Sequence, residues 1–394
     1  MVATRQDACQ PGYAQTFRRL AQQQDGIHFL VQFRADLQAV ISKQPGSSAA
    51  LRAMSETLRG LLADWFSVGM IRMEQISWKH SSAAMLEKVV AGEAVHSIRG
   101  WRDLRRRLSP SKRLFAFFHP SMPDEPLVLL HTALCHGIAS KMGSLLMPSE
   151  AHDQHEHAPS HTSGGAPYTT AVFYSISSTQ PGLKGVELGN FLIKQAARKL
   201  QVEIPTITTL VTLSPIPGFR PWLEEQIHRI TDLSEAKAGH SHPMKRDALL
   251  TPPEVDECLQ GVAWAGKEQP KDGMVDRHGA ALKALEEALR AMDGKGQRTA
   301  GHVRSILMRL CAVYLAQERR RTYALDPVAH FHLKNGSWLW QINWEADMSA
   351  AGMARSYGMM VNYRYILEDV DKNSRDYLQH GVIPISDAVQ ALLV

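Results

Sequence analysis

The glycine-bearing stretch from Ser177 to Asn190 reads SSTQPGLKGVELGN and separates two segments with different periodicity. Before it, Thr169–Tyr174 (TTAVFY) is rich in β-branched and aromatic residues, which predicts a strand. After it, Phe191–Leu200 carries apolar residues at helical spacing, which predicts a helix. A strand, a loop and a helix in this order present free N–H groups and the positive end of a helix dipole at one place. The stretch therefore predicts either an anion-binding loop or a glycine-rich turn between packed elements.

The glycine spacing of this loop differs from the two common nucleotide-binding fingerprints. The loop lacks the Gly-Lys-Ser/Thr of a P-loop, and Gly182, Gly185 and Gly189 do not follow G-x-G-x-x-G. Glycines still allow the backbone to turn sharply and to approach a ligand closely. A phosphate-bearing ligand is the first expectation, and the spacing alone does not identify it.

A second predicted strand runs from Thr206 to Leu213 and ends in the turn sequence SPIPGF. Four ordered blocks stand out in this part of the chain: Ser175–Lys194, Leu213–Phe219, Tyr323–Gly336 (YALDPVAHFHLKNG) and Asn362–Tyr365 (NYRY). Together they resemble the malonyl-CoA decarboxylase family, and the resemblance covers most of the chain from about residue 93 onward. Residues before that point resemble the family only in length and helical character.

The resemblance implies an α+β fold with two domains. Residues 1–92 are expected to form an all-helical oligomerisation domain, and residues 93–394 a mixed α/β catalytic domain like the N-acetyltransferases, interrupted by a helical insertion. In such a domain two neighbouring strands splay apart and the acyl-CoA thioester enters between them. The helical patterns of the insertion are Pro221–Ile227, Gly279–Leu289 and Val303–Leu315.

The local patterns add detail to this fold. Helices are predicted throughout residues 12–92, and Leu114–Phe118 with Leu127–Leu130 predict a pair of adjacent strands. Ala329–Leu333 and Ser337–Trp344 predict another hairpin, closed by a tight Asn-Gly turn. His332 is therefore expected at the end of a strand.

The resemblance also implies a reaction: malonyl-CoA gives acetyl-CoA and CO2 through a thioester enolate, with no metal and no organic cofactor, as part of fatty acid metabolism. It makes His332 the proton donor and Ser214 the proton acceptor, which we expect to bind the malonyl carboxylate and relay a proton. Without the resemblance, Ser214 would be interpreted as a strand-end cap and His332 as a satisfied buried histidine. The implied substrate-binding set is Lys184, Gly185, Val186, Glu187, Leu188, Gly189, Asn190, Ser214 and His332.

Glu187 is the third predicted catalytic residue. A carboxylate in a phosphate-binding loop repels the ligand, so its side chain is expected to point away from the pyrophosphate. There it would reach His332 and raise the pKa of that histidine. The alternative is a first-turn glutamate that only complements the helix dipole. Tyr363, Arg364 and Tyr365 are expected to lie behind the catalytic residues.

Histidine-rich stretches raise the question of a metal site. Residues 150–168 and 239–243 are polar and contain glycines or prolines without apolar periodicity, which favours surface loops over metal ligation. No metal is therefore expected. The histidines in these stretches are His152, His155, His157, His161, His240 and His242.

Composition excludes several classes of protein. The 394 residues predict two or three domains, and the net charge of +5 suits an anionic small molecule better than a nucleic acid. No apolar run approaches about 18 residues, so no membrane span is expected. The N-terminal residues lack the apolar core of a secretory signal and the last residues are not a Ser-Lys-Leu address, so a cytoplasmic location is expected.

Alternatives from other classes stay open at this point. An acyltransferase on the same fold would need an open acceptor cleft and no proton donor to the α-carbon. A non-enzymatic acyl-CoA sensor would not need both Ser214 and His332. A homodimer or homotetramer is expected from the family resemblance and from the wide apolar stripes of the helical region.

Overall fold

The fold is that of a computed structural model, which describes residues 11–43, 46, 49–66, 68–146, 167–186, 188, 192–232, 249–261, 277–292 and 301–394. The chain divides into two compact units. Unit 1 comprises residues 1–138 and 146–210, and unit 2 comprises residues 139–145 and 211–394. Among the described residues, no helix has the length and apolar character required to cross a bilayer.

Helices make up about half of the described residues. In chain order they are α1 (Gly12–Ala21), α2 (Gly26–Lys43), α3 (Ala49–Trp65), α4 (Ala83–Gly92), α5 (Trp101–Arg107), α6 (Met142–Leu146), α7 (Leu192–Glu203), α8 (Phe219–Asp232), α9 (Pro252–Gly261), α10 (Arg277–Met292), α11 (Gly301–Ala316), α12 (Pro327–Lys334), α13 (Ala350–Ser356), α14 (Val370–His380) and α15 (Asp387–Gln390). Short 3-10 turns occupy Val68–Met70 and Pro181–Leu183.

The strands are distributed over both units. They are β1 (Arg72–Ile76), β2 (Lys112–Phe118), β3 (Val128–Cys135), β4 (Thr170–Ser178), β5 (Thr209–Thr212), β6 (Ser214–Pro215), β7 (Arg319–Arg320), β8 (Tyr323–Ala324), β9 (Trp338–Asn343) and β10 (Met360–Arg364). The predicted α+β class is confirmed, with a helical region first and helices α8 to α11 inserted between β6 and β7. The domain boundary placed at residue 92 stays a prediction.

Unit 1 contains an antiparallel sheet in the order β1-β2-β3-β4. Strands β2 and β3 are the predicted hairpin, with Phe115 paired to Leu130. One face of this sheet is covered by α4 and α5, because alternate β2 residues pack with Leu86, Val89 and Leu104 in one buried cluster. The alternation follows from the period-2 geometry of a strand.

Strand β1 corrects the prediction of helices throughout residues 12–92. Arg72–Ile76 pairs antiparallel with β2, and only Ile76 is buried. Its Met, Glu and Gln residues favour a helix and give no alternating pattern. Hydrogen bonding to the apolar strand β2 overrides that local preference, which a sequence pattern cannot reveal.

Unit 2 is organised around β10. This strand pairs antiparallel with β9 on one side, and with β5 and β6 on the other, so that Val361 lies opposite both Ile342 and Ser214. A large apolar core joins these strands to α8, α10 and α11. Because β6 is fixed to β10, the position of Ser214 is set by the sheet.

The element that carries His332 differs from the prediction. His332 lies in α12 and not at the end of a strand. Asp326 caps this helix and Pro327 occupies its first turn, a start signal that outweighs the alternation of Ala329, Phe331 and Leu333. The predicted Asn-Gly turn is the end of α12, where Gly336 has φ +82° and a Cβ atom would lie 2.0 Å from the Val370 carbonyl oxygen.

Candidate active site

Ser214 and His332 are in direct contact in unit 2. The Ser214 Oγ and His332 Nε2 atoms are 3.0 Å apart, although 118 residues separate them in the chain. Both residues are buried, with 6% and 3% of their surface exposed. The structure thus places two of the three predicted catalytic side chains within hydrogen-bond distance of each other.

Strands β5, β6 and β10 fix the orientation of Ser214. The Ser214 hydroxyl donates to Thr212 Oγ1 over 2.9 Å. Thr212 Oγ1 also accepts from the backbone N–H of Tyr363 over 3.1 Å. The Asn362 side chain donates to the Thr212 carbonyl over 2.6 Å. Ser214 therefore belongs to a hydrogen-bond chain anchored on β10.

Two tyrosines hold the ring of His332. Tyr365 Oη lies 2.8 Å from His332 Nδ1, and the Tyr363 ring stacks on the imidazole with 4.5 Å between ring centres. Both tyrosines are buried and were expected behind the catalytic residues. Arg364 instead places its guanidinium over the Trp340 ring, 4.3 Å from its centre.

The surroundings make His332 neutral at physiological pH. Burial lowers the pKa of His332 to about 3. With the ring proton on Nε2, His332 donates to Ser214; with the proton on Nδ1, it donates to Tyr365 and accepts from Ser214. Either neutral form allows a proton to move between the serine oxygen and the histidine nitrogen. A bound anion would raise the pKa of the ring, because an opposite charge favours imidazolium.

The predicted anion-binding loop lies in unit 1, where helices α2 and α3 contact its first part. A Cβ atom on Gly182 would lie 1.8 Å from the Val31 carbonyl oxygen, so only glycine fits there. Gly185 has φ +80°, which also favours glycine. Lys184 and Gly185 are exposed, whereas Val186 and Leu188 are buried. Glu187, Gly189 and Asn190 lie outside the described residues, so the Glu187 prediction is not tested by the structure.

Two arginines on the helices were missed by the sequence analysis. Arg34 is 3% exposed and donates to the carbonyl oxygens of Gly182 and of Ser55, the latter over 3.2 Å. Arg59 donates to the Gly185 carbonyl oxygen over 3.4 Å. The only signal for Arg34 in the sequence is its place on the apolar face of α2, between Val31 and Leu37, where a charge requires buried partners.

The prediction that the histidine-rich stretches hold no metal is not tested by the structure, and a metal-binding cluster can be assessed only in the described part of the chain. There, no three His, Cys, Asp or Glu side chains converge in a way that could hold a metal ion. The histidines between residues 152 and 161, with His240 and His242, lie outside the described residues.

Comparisons with known proteins agree with the sequence blocks. Family models of the malonyl-CoA decarboxylase N-terminal and C-terminal domains match residues 2–66 and 69–394. Mitochondrial malonyl-CoA decarboxylases from Anser anser anser and Rattus norvegicus are 38% and 37% identical over 96% and 97% of this chain, and 69% and 71% of their own lengths. A crystal structure of malonyl-CoA decarboxylase from Rhodopseudomonas palustris matches with a TM-score of 0.75 and 32% identity, covering 98% of this chain and 80% of that chain. The resemblance drawn from the sequence is confirmed, and with it the prediction of a carboxy-lyase family.

Proposed function

We propose that this chain, which belongs to the malonyl-CoA decarboxylase family, converts malonyl-CoA to acetyl-CoA and CO2 at the Ser214–His332 pair. The observation that carries the proposal is the 3.0 Å contact between Ser214 Oγ and His332 Nε2 in buried surroundings. A serine and a neutral histidine in contact can hold an anion and transfer a proton. Those are the operations that this reaction requires.

The reaction needs no electron sink beyond the substrate. The bond between the carboxylate carbon and the α-carbon breaks, and its electron pair moves into the thioester to form an enolate. CO2 leaves, and a proton adds to the α-carbon. The protein must orient the carboxylate, stabilise the enolate oxygen and deliver the proton. We therefore propose that no metal and no organic cofactor takes part.

The low pKa of His332 implies an order for the proton transfers at the Ser214–His332 pair. The malonyl carboxylate, bound by the Ser214 hydroxyl, raises the pKa of His332 from about 3, and the ring takes up a proton. When neutral CO2 leaves, the negative charge passes from the carboxylate to the thioester enolate. The imidazolium of His332 then donates its proton to the α-carbon, which removes that charge and returns the ring to its neutral form. Tyr365, bound to Nδ1, keeps the ring oriented through both steps.

Residues Lys184–Asn190 form the proposed CoA-binding segment. The backbone N–H groups of such a loop and the start of the following helix suit a pyrophosphate, and Lys184 adds a positive charge. Glu187 keeps its proposed role in supporting His332. Glu187→Gln is expected to lower turnover while KM for malonyl-CoA stays the same or falls; normal turnover with weaker substrate binding would contradict that role.

A direct assay tests the proposed function. Purified protein treated with EDTA is incubated with malonyl-CoA alone, and acetyl-CoA and CO2 are measured. Equal amounts of both products are expected, with Ser214→Ala as the inactive control. Acyl transfer to an added amine without CO2 release would instead indicate an acyltransferase, and binding without turnover would indicate a sensor. Loss of activity in EDTA and its return with zinc would contradict the metal-free reaction.

Assembly and location are separate proposals. The apolar helical region is proposed to form a homodimer or homotetramer, and a monomer in light scattering at micromolar concentration would contradict this. The cytoplasmic location stays a prediction, since the relatives named above are mitochondrial. Imaging of a tagged full-length chain would decide it.

A further inference from the structure

Asp326 is a fully buried carboxylate at the start of the helix that carries His332. It is 0% exposed, and its Oδ1 atom accepts from the backbone N–H groups of Val328 and Ala329, both over 2.9 Å. These bonds cap α12. The second oxygen, Oδ2, takes no part in the cap. It accepts from the Tyr314 hydroxyl over 3.3 Å and from the Gly218 backbone N–H over 3.5 Å.

These contacts join the two segments that carry the Ser214–His332 pair. Gly218 ends the segment that begins at Ser214, and Asp326 begins the helix that contains His332. The segments therefore meet at the pair and again at Asp326 Oδ2. Pro215 and Pro217 lie between Ser214 and Gly218, and their rings fix φ, so the connector is stiff. Holding Gly218 consequently restricts where Ser214 can lie.

The glycine at position 218 makes room for the hydroxyl group that reaches the carboxylate. A Cβ atom there would lie 2.2 Å from Tyr314 Oη and 3.7 Å from Asp326 Oδ2. The Tyr314 ring is packed against Phe219 and Trp222, with ring centres 5.8 and 5.2 Å away. Tyr314 therefore cannot move aside without disturbing the start of α8.

We propose that Asp326 is a positioning residue, which through Oδ2 holds the Ser214–Gly218 segment against α12 and so sets the distance between Ser214 and His332. The inference rests on the proposed function, in which that pair does the chemistry. A cap alone would not need a buried charge, because asparagine caps a helix equally well. Burial raises the pKa of Asp326, and the N–H and O–H donors around it oppose that rise. A carboxylate, unlike an asparagine amide, has two acceptor oxygens, so that one can cap α12 while the other accepts from Gly218 and Tyr314.

Asp326→Asn separates capping from positioning. The asparagine Oδ1 still accepts the two N–H groups of the cap, whereas its Nδ2 cannot accept from Gly218 or Tyr314. We expect kcat to fall about 10- to 100-fold, the scale of a small misplacement of reacting groups, with KM for malonyl-CoA close to the wild-type value. The urea midpoint should change little. Ser82→Ala, which removes the cap of α4 in unit 1, is the control and should lower stability without lowering kcat.

A pair of further variants tests the same contact from its other side. Gly218→Ala should lower kcat because its Cβ displaces the Tyr314 hydroxyl, and Tyr314→Phe should lower it less. In the double variant the hydroxyl is gone, so kcat should rise from the Gly218→Ala value to that of Tyr314→Phe. Such a rescue is not expected from general loss of stability. Tyr314→Phe also keeps the cap and the charge, so its kcat decides the question if Asp326→Asn does not fold.

The outcomes separate this inference from the proposed function. Wild-type kcat in Asp326→Asn or, if that variant does not fold, in Tyr314→Phe would overturn the positioning role while leaving the decarboxylase proposal intact. Losses of kcat that follow the urea midpoint across all these variants, the Ser82→Ala control included, would also overturn it. A wild-type protein that releases no CO2 from malonyl-CoA would overturn the proposed function itself.

Discussion

Each unit contains a buried histidine, and the two differ in the partners that surround them. In unit 1, His131 Nε2 lies 3.0 Å from Glu93 Oε2, and neither side chain is exposed. The Glu93 carboxylate also accepts from the Ser175 hydroxyl and from the backbone N–H groups of Val95 and His96. In unit 2, His332 contacts only the hydroxyl groups of Ser214 and Tyr365 through its ring nitrogens among the described residues.

In unit 1 the contacts around Glu93 fix the charge of its carboxylate, whereas in unit 2 the charge of the His332 ring can change. Burial raises the pKa of Glu93, but contact with His131, its charge and the surrounding donors outweigh burial and lower that pKa to about 2. Glu93 thus stays ionised and its acceptors are occupied, which ties residues 93–96 to β3 and β4. Among the described residues, no carboxylate contacts His332, and burial lowers the pKa of its ring to about 3. We propose that the Glu93–His131 contact serves structure, whereas His332 responds to an anionic substrate.

The largest expected effect comes from replacing the two histidines in parallel. His332→Asn should lower turnover by roughly two to four orders of magnitude, the scale of a lost general acid, while acetyl-CoA binding changes much less. His131→Asn should lower stability but leave the turnover of the folded fraction unchanged. Steady-state kinetics and urea unfolding on both variants provide the comparison. Near-normal turnover in His332→Asn would remove that residue from the mechanism.

Removing the buried Glu93 carboxylate should give the largest loss of stability. Glu93→Gln takes a charged acceptor away from the donors that surround it, and the free energy of unfolding should fall by about 3 kcal/mol. Glu125→Gln is the matched control, because Glu125 pairs with Lys88 over 2.8 Å with both side chains about one-third exposed. Exposed pairs contribute about 1 kcal/mol or less. Equal losses in the two variants would show that the Glu93–His131 pair is not special to the core of unit 1.

The residues of the candidate site could be predicted from the sequence, but their arrangement could not. Ser214 and His332 stand in the blocks SPIPGF and YALDPVAHFHLKNG, where an unusual order of residues is the signal. The helix around His332 was missed because Ala329, Phe331 and Leu333 fit a strand as well as a helix. Asp326 and Pro327 carried the information that decides between them.

Contacts between residues far apart in the chain explain the other misses. Arg34 meets Gly182 across 148 residues, and nothing local to α2 indicates that partner. Strand β1 exists because β2 offers it unpaired backbone groups, not because its own residues favour a strand. The block NYRY predicts that Tyr365 lies near the catalytic residues. Its hydrogen bond to His332 Nδ1, however, depends on how α12 packs against β10.

The pH dependence of stability should distinguish the two sites within one titration. His332 has a folded-state pKa of about 3, below the unfolded value of about 6.5, so the unfolded chain binds the proton first as pH falls. This contribution to stability is complete above pH 6.5 and declines by about 1.4 kcal/mol per pH unit below it. The contribution of Glu93 declines only below about pH 4.5, toward its folded-state value of about 2.

Urea unfolding between pH 7 and pH 4.5 provides the measurement. The wild type should lose stability faster than His332→Asn over this range, with a difference of about 1.4 kcal/mol per pH unit at most. Extended to pH 3, the same measurement should show the wild type losing stability faster than Glu93→Gln below about pH 4.5, where the contribution of Glu93 declines. Parallel curves for the wild type and His332→Asn would mean that His332 is not held neutral in the folded protein.

The smallest expected effect separates two tyrosines that both touch His332. Tyr365→Phe removes the hydroxyl from His332 Nδ1 and leaves the ring in place, so a buried nitrogen loses its hydrogen-bond partner. A fall in kcat of about tenfold, equivalent to about 1.4 kcal/mol, is expected, with KM unchanged.

Tyr363→Phe is the matched control, because Tyr363 Oη has no hydrogen-bond partner among the described residues while its ring makes the stacking contact. Its kcat should stay within about twofold of the wild type, since no bond is lost. If both variants lost activity equally, packing around the imidazole and not the bond to Nδ1 would control the reaction. The contrast between a histidine beside a carboxylate and a histidine held by hydroxyl groups would then no longer account for the chemistry.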